Sequence, residues 1–193
     1  MAQLKQIKPR KYQEEIAKKA CQKNTLVILP TGLGKTLIAV LVALEVLNKK
    51  QGKILWLAPT RPLVMQHYKY WIKHVEDTCK VAWVTGKIQK SKRKEIYKEA
   101  RVIFATPQTI KNDLAYFPLH EVDLLIQDEC HRCLKEYAYK HVAKEFLKIK
   151  PRLVFGMTAS PGVKIERIKE ICNNLGIEQI EICLLYTSPS PRD

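Results

Sequence analysis

Leu26-Val-Ile-Leu-Pro-Thr-Gly-Leu-Gly-Lys-Thr-Leu-Ile-Ala-Val-Leu41 is the stretch of sequence around which this chain is organised. An apolar run over residues 25–29 breaks into a loop with two glycines, and a second apolar run over residues 37–47 follows at once. This succession is typical of a buried strand, a tight loop and a helix. We therefore predict a strand–loop–helix unit whose helix begins near Lys35.

The loop at residues 30–36 has the composition of a phosphate-binding site. Its glycines let the backbone turn sharply and bring N–H groups close to an anion, and the positive end of the helix dipole lies at the same point. A lysine there can reach a β- or γ-phosphate, and a threonine hydroxyl can ligate Mg²⁺. The alternative is a plain turn between strand and helix. The predicted nucleotide-binding residues of this loop are Thr31, Gly32, Leu33, Gly34, Lys35 and the metal ligand Thr36.

Composition limits the class of protein and suggests its partner. The chain has 193 residues, of which 46% are hydrophobic, so it suits one globular domain. Its 34 Lys and Arg outnumber 19 Asp and Glu, which gives a net charge of +15. This excess fits nucleic acid as a partner, although a lysine-rich solvated surface would look the same. Because the N-terminus lacks the apolar core of a signal peptide and no run is long enough to cross a bilayer, we expect a cytoplasmic protein without membrane contact.

Further apolar runs alternate with helical patterns along the chain. Predicted strands cover residues 54–58, 81–84, 101–105, 122–127, 152–157 and 177–182, with helices between them. Short, continuous apolar runs are typical of strands that are buried on both faces of a parallel sheet. The sequence therefore predicts an α/β fold, with a mostly parallel central sheet and helices on both faces.

An acidic pair follows one of these strands. Asp128 and Glu129 stand directly after the run at residues 122–127. Downstream of a phosphate loop, Asp128 can hold Mg²⁺ and Glu129 can act as the general base that polarises an attacking water. The alternative is an acidic helix N-terminus, where carboxylates favour the helix dipole.

Two other strand ends carry candidate nucleic-acid contacts. Thr60 and Arg61 follow the strand at 54–58, and Arg61 with the amides of the next helix can bind phosphate. Thr106 follows the strand at 101–105, before a helix predicted over residues 110–114. A surface arginine and a plain turn are the alternatives. The basic helix at residues 89–100 is interpreted as a solvated face.

Three more features have weaker signals when taken alone. Gln13 lies in a helix predicted over residues 10–21, and its amide could bind an adenine edge. Thr158 and Ser160 follow the strand at 152–157 and could relay between a nucleotide and nucleic acid. Residues 183–193 are Ser/Pro-rich and break the α/β alternation, so we expect a non-native or unstructured tail.

Together these blocks resemble the first RecA-like domain of a superfamily-two DExH-box helicase, a P-loop NTPase domain. In order, they are similar to the Q motif (10–13), Walker A (30–36), motif Ia (58–64), motif Ib (105–109), motif II (Asp128-Glu-Cys-His131) and motif III (158–160). Leu29 stands where the strict Walker A pattern has its first glycine. The motifs look most like those of the archaeal Hef/FANCM-type branch, which remodels branched and forked DNA. The RIG-I-like branch, which engages double-stranded RNA, shares the Asp-Glu-Cys-His box.

This resemblance implies roles for the candidate residues. ATP and Mg²⁺ would bind at the loop and Asp128, with Lys35 and Glu129 in catalysis, while His131, Thr158 and Ser160 would couple the ATP state to DNA. The ATP-binding domain would span residues 1–182. Its arginine fingers would come from a second RecA-like domain that this sequence lacks. The alternatives are an RNA-sensing ATPase domain, or a fragment that binds ATP without efficient hydrolysis.

Overall fold

The fold is seen in a computed structural model, which describes residues 1–30, 32, 34–134, 137–149, 152–159 and 164–182. The strands are β1 (Gln3–Leu4), β2 (Thr25–Ile28), β3 (Lys53–Leu57), β4 (Val75–Glu76), β5 (Val81–Val84), β6 (Val102–Ala105), β7 (Val122–Asp128), β8 (Leu153–Thr158) and β9 (Gln179–Ile182). The α-helices are α1 (Lys11–Ala20), α2 (Lys35–Lys49), α3 (Arg61–His74), α4 (Lys90–Glu99), α5 (Pro107–Asn112), α6 (Tyr137–Leu147) and α7 (Ile165–Leu175). Two 3₁₀ segments, Leu119–Glu121 and Cys130–Leu134, flank β7.

Seven strands form one sheet in the order β5-β6-β3-β7-β8-β2-β9. Every pairing in it is parallel. All seven strands therefore end at the same edge, which is where open parallel sheets bind their ligands. The predicted α/β fold is confirmed.

Helices cover both faces of this sheet. Neighbouring residues of β3 point to opposite sides: Trp56 packs in the core beneath α1, α2 and α3, whereas Leu55 packs in the core beneath α4 to α7. Both side chains are almost completely buried. Because each inner strand has a core on either side, its sequence is mostly apolar, whereas the edge strand β9 alternates between half-buried and exposed residues.

The structure corrects several predicted boundaries. Helix α5 begins at Pro107 and ends at Asn112, rather than covering residues 110–114. Proline fits the first position of a helix because its fixed φ is helical and its missing N–H would have no partner there. The helix predicted directly after Glu129 is instead a 3₁₀ segment followed by α6.

A small antiparallel pair, β1 with β4, was not predicted at all. Two residues on each strand are too few to give a periodic signal. Among the described residues, no helix has both the length and the apolar character needed to cross a membrane.

Candidate functional site

The predicted site residues gather at the carboxyl edge of the sheet. Strand β2 leads into the phosphate loop, β3 into Arg61, and β6 into Thr106, while Asp128 ends β7 and Thr158 ends β8. Motifs separated by long stretches of the chain thus meet on one side of the molecule, because parallel strands all end there.

The phosphate loop has the backbone geometry of an anion site. Gly32 has φ = 91° and Gly34 has φ = 75°, both in the region that glycine adopts without strain. A Cβ added at Gly32 would meet nothing within 4 Å, so the space in front of the loop is open. Helix α2 starts at Lys35 and runs for 15 residues, so its unpaired N–H groups and dipole face that space. Thr31 and Leu33 lie outside the described residues.

Gln13 lies against this loop. Its side chain is buried, with Nε2 donating to the Gly34 carbonyl at 3.2 Å and Oε1 accepting from the Arg10 N–H at 2.8 Å. A Cβ on Gly34 would lie 2.3 Å from Gln13 Nε2. The contact with the loop is therefore established, whereas adenine recognition by Gln13 stays a prediction.

Asp128 is buried and held at three points. Its Oδ2 lies 2.8 Å from His67 Nε2, its Oδ1 accepts from the Glu129 N–H at 2.9 Å, and its carbonyl accepts from the Tyr139 hydroxyl at 2.7 Å. The first two contacts orient the carboxylate at the end of β7. An oriented carboxylate on the same edge of the sheet as a phosphate loop suits a magnesium ligand.

His67 was missed by the sequence reasoning. It lies on the inward face of α3, three residues after Val64 and four before Trp71, the other two buried residues of that helix. The helical spacing in the sequence indicates that His67 is buried. It does not indicate which residue the histidine contacts.

Glu129 has an unusual backbone. Its φ of 51° lies in the left-handed region, which is strained for a residue with a side chain. Its carboxylate lies 3.4 Å from Arg132 Nε, and both side chains are partly exposed. Strain of this kind concentrates at functional positions, which agrees with the predicted catalytic role without testing it.

A side-chain contact joins motifs II and III. His131 Nδ1 lies 2.9 Å from Thr158 Oγ1. Strand β8 runs between β2 and β7, with Thr158 in register with Ile28 and Met157 in register with Asp128. Thr158 thus stands between the phosphate-loop strand and the acidic strand. Ser160, the third predicted coupling residue, lies outside the described residues.

Arg61 and Thr106 line one cavity of about 240 Å³. Thr60 is not part of this lining; its hydroxyl accepts from the Leu63 N–H at 3.4 Å, at the start of α3. We call this cavity the polar groove. Its lining residues are Arg61, Gly86, Arg93, Thr106, Gln108, Thr109 and Asn112.

Arg93 is fixed in the polar groove by the buried Asp113. Its Nε and Nη2 donate to the two Asp113 oxygens at 2.7 and 2.9 Å. Tyr97 and Tyr116 donate to the same carboxylate. Burial alone would raise the pKa of Asp113, but these hydrogen bonds outweigh it and hold the pKa below its ordinary value. Sequence reasoning missed Arg93 because it stands in a basic run that was interpreted as solvated.

Comparison with known proteins decides the family. The model of the DEAD/DEAH box helicase family matches residues 10–168. The chain belongs to the DEAD/DEAH box helicase family. The crystal structure of the Pyrococcus furiosus Hef helicase domain superposes with a TM-score of 0.86 at 46% identity, over 91% of this chain and 38% of that one. The predicted RecA-like fold and the likeness to the Hef/FANCM branch are confirmed.

Two relatives extend this comparison. A Methanocaldococcus jannaschii protein, provisionally named an ATP-dependent RNA helicase, is 49% identical over 92% of this chain and 23% of its own length. The Drosophila melanogaster DEAD-box ATP-dependent DNA helicase Fancm is 38% identical over 90% of this chain and 12% of its own. This helicase-family chain therefore spans about a quarter or less of these two relatives.

The residues of this edge fit ATP and Mg²⁺. Two glycines with positive φ and a long helix N-terminus suit the phosphates, and the Thr36 hydroxyl and Asp128 carboxylate are hard oxygen ligands. In the described part of the chain, no cluster of three His, Cys, Asp or Glu side chains could hold a metal alone.

Proposed function

We propose that the chain is the nucleotide-binding half of an ATP-dependent DNA helicase or translocase that acts on forked or branched DNA. The observation that supports this most directly is the position of the phosphate loop, Asp128 and the polar groove on one edge of the sheet. An ATPase centre and a phosphate-binding groove on one rigid sheet are what a nucleic-acid motor needs. Family membership and the DNA helicase name of the Fancm relative support the same conclusion.

The roles proposed for the site residues are supported by the geometry of the loop and of Asp128. Gly32, Gly34 and Lys35 would bind the phosphates, and Thr36 and Asp128 would hold the metal. Bound Mg²⁺ would neutralise charge on the phosphates. Glu129 accepts a proton from the attacking water. Glu129 is paired with Arg132 in the structure, so this role requires the carboxylate to leave that arginine.

Coupling is assigned to motifs II and III. A change at the phosphates would reach His131 through Glu129 and the backbone of motif II, and it would pass to Thr158 through their 2.9 Å contact. Ser160 would extend this link towards the nucleic acid.

The nucleic acid is proposed to cross the polar groove. Arg61 supplies a guanidinium for a backbone phosphate, while Thr60 and Thr106 stand at the helix starts on either side. Phosphate contacts of this kind position a strand without reading its sequence. The net charge of +15 supports a polyanionic partner.

The ATPase is proposed to need a second RecA-like domain. The helicase domain would cover residues 1–182, and the relatives are several times longer than this chain. An arginine supplied from a second domain contributes about 10³–10⁵ in rate in comparable NTPases. The chain alone would then bind ATP and hydrolyse it slowly. A reducing, cytoplasmic setting is part of the proposal, supported by the thiols of Cys21, Cys79 and Cys172, which form no disulfide among the described residues.

The choice between DNA and RNA is open to a direct test, since the M. jannaschii relative is provisionally named an RNA helicase. Fluorescence anisotropy would follow labelled forked DNA bound to the chain while unlabelled forked DNA, duplex DNA or double-stranded RNA competes. Forked DNA should compete best, and Arg61→Ala should weaken binding of all three. Better competition by double-stranded RNA would overturn the DNA assignment. Fast fork-stimulated ATP hydrolysis by the chain alone would contradict the need for a second domain.

A further inference from the structure

A buried histidine on α3 contacts the carboxylate assigned to the metal. His67 Nε2 lies 2.8 Å from Asp128 Oδ2, and the two side chains are 6% and 5% exposed. Because a carboxylate only accepts hydrogen bonds, Nε2 is the donor in either charge state of the imidazole. This contact joins the helix of motif Ia to the strand of motif II.

The rest of the His67 ring has apolar surroundings. It packs against Trp56, with ring centroids 5.0 Å apart, and Trp56 packs in turn against Phe104. Within the described ranges, His67 Nδ1 is buried and has no hydrogen-bond partner. Among the described residues, the Asp128 carboxylate is therefore the one hydrogen-bond partner seen for the imidazole. Buried polar groups normally have a partner, and the carboxylate of Asp128 supplies one for this ring.

The contact restricts how Asp128 can turn. Its Oδ1 is tied to the Glu129 N–H and its Oδ2 to His67, so rotation about the terminal side-chain bond would break one hydrogen bond or the other. Each carboxylate oxygen has a second lone pair, and a metal bound by Asp128 would use those lone pairs. A group that hydrogen-bonds to a metal ligand, without contacting the metal, orients that ligand and increases its affinity for the ion.

We propose that His67 is a positioning residue that fixes the Asp128 carboxylate for Mg²⁺ in the ATP complex. The inference rests on the function proposed above, in which Asp128 is the metal-side carboxylate. It predicts that loss of the Nε2 donor weakens the Mg²⁺-dependent part of ATP binding, because Asp128 could then adopt orientations that do not face the ion. Binding of ATP without metal should not change.

The test compares two replacements of the ring. His67→Phe keeps an aromatic ring against Trp56 but removes the donor, whereas the amide of His67→Gln can place an N–H close to the position of Nε2. His74→Phe is the matched control. His74 lies on the same helix, packs against Tyr70 and also has a buried Nδ1 without a partner in the described residues, but no carboxylate contact is seen there.

Calorimetric titration of ATP, with excess Mg²⁺ and with EDTA, gives the readout. We expect His67→Phe to lose about tenfold or more in affinity with Mg²⁺ and to match the wild type in EDTA. His67→Gln and His74→Phe should behave as the wild type in both. Thermal melts of each variant verify folding, and His67→Leu replaces His67→Phe should the latter not fold.

The outcomes separate the two proposals. If the wild type binds ATP without any dependence on Mg²⁺, the proposed function fails. If the wild type depends on Mg²⁺ and His67→Phe does so equally, His67 does not position Asp128. Equal losses of ATP affinity with Mg²⁺ in His67→Gln and His67→Phe would also overturn the inference, because the loss would then not depend on the N–H donor to Asp128.

Discussion

Arg93 and Asp113 form a bidentate ion pair beneath the polar groove. The Nε and Nη2 atoms of Arg93 lie 2.7 and 2.9 Å from the two carboxylate oxygens of Asp113. The Asp113 side chain is 1% exposed and that of Arg93 is 13% exposed. Pairs of this geometry fix a guanidinium in position, because two parallel hydrogen bonds define its plane. Arg93 therefore reaches the groove as a fixed group, although it belongs to a helix whose other basic residues are solvated.

Asp113→Asn should destabilise the fold by about 3–5 kcal/mol, because it leaves Arg93 without its counter-charge in a buried site. Urea unfolding of both proteins would measure this. Glu99→Gln is the control, since the Lys80–Glu99 pair is exposed and water screens such pairs so that they contribute little to stability. A destabilisation by Asp113→Asn no larger than the control's would contradict the account of this pair.

The same pair predicts a pH dependence. The pKa of Asp113 is lower in the folded state than its ordinary value, so its contribution is fully present above the ordinary aspartate pKa of about 3.9. The contribution disappears as the pH falls through the lower, folded pKa. The melting temperatures of the wild type and Asp113→Asn should therefore differ most at neutral pH, and the difference should become smaller as the pH is lowered into the strongly acidic range. A difference that does not change with pH would show that the charge of Asp113 is not its cause.

The two loop glycines should respond differently to alanine. Gly32→Ala meets open space and adds only backbone strain, of about 1 kcal/mol. Gly34→Ala adds similar strain and also places a Cβ 2.3 Å from Gln13 Nε2. It should cost more stability and move Gln13 away from the loop. Thermal melts would compare the destabilisation caused by each variant. Adding Gln13→Ala to Gly34→Ala should recover only the stability lost through the clash with Gln13, and the backbone strain should remain. Equal destabilisation by the two single variants would show that the Gln13 contact is unimportant.

Lysines of α4 should contribute to nucleic-acid affinity through charge alone. The ammonium groups of Lys90 and Lys94 lie 5.1 and 4.8 Å from the centre of the Tyr116 ring, beside the residues that hold Arg93. Replacing both lysines with alanine should make forked-DNA binding less sensitive to salt. The slope of the logarithm of the binding constant against the logarithm of the salt concentration should decrease in magnitude by about one for each DNA phosphate that a lysine no longer neutralises. Lys49→Ala, at the far end of α2, is the control. An unchanged slope would show that Lys90 and Lys94 do not neutralise DNA phosphates and that α4 is only a solvated surface.

The sequence was sufficient for the fold because the central strands are apolar runs buried on both faces. The run at Val102–Ala105 illustrates this, since all four of its residues are buried, as suits an inner strand of a parallel sheet. The loop and the acidic pair were predictable for a related reason: phosphate and Mg²⁺ require particular residue types at fixed spacing. Contacts between elements were not predictable. His67 with Asp128, and Arg93 with Asp113, depend on how elements pack against one another, and no local pattern contains that information.

ATP and Mg²⁺ are proposed to bind at the carboxyl edge of the sheet, between the ends of β2 and β7. Isothermal titration of ATP with excess Mg²⁺ should show clear binding by the wild type and at least about tenfold weaker binding by Lys35→Ala, because lysine contributes charged hydrogen bonds to phosphate. No binding by the wild type, or equal binding by both proteins, would exclude an ATP site at this edge.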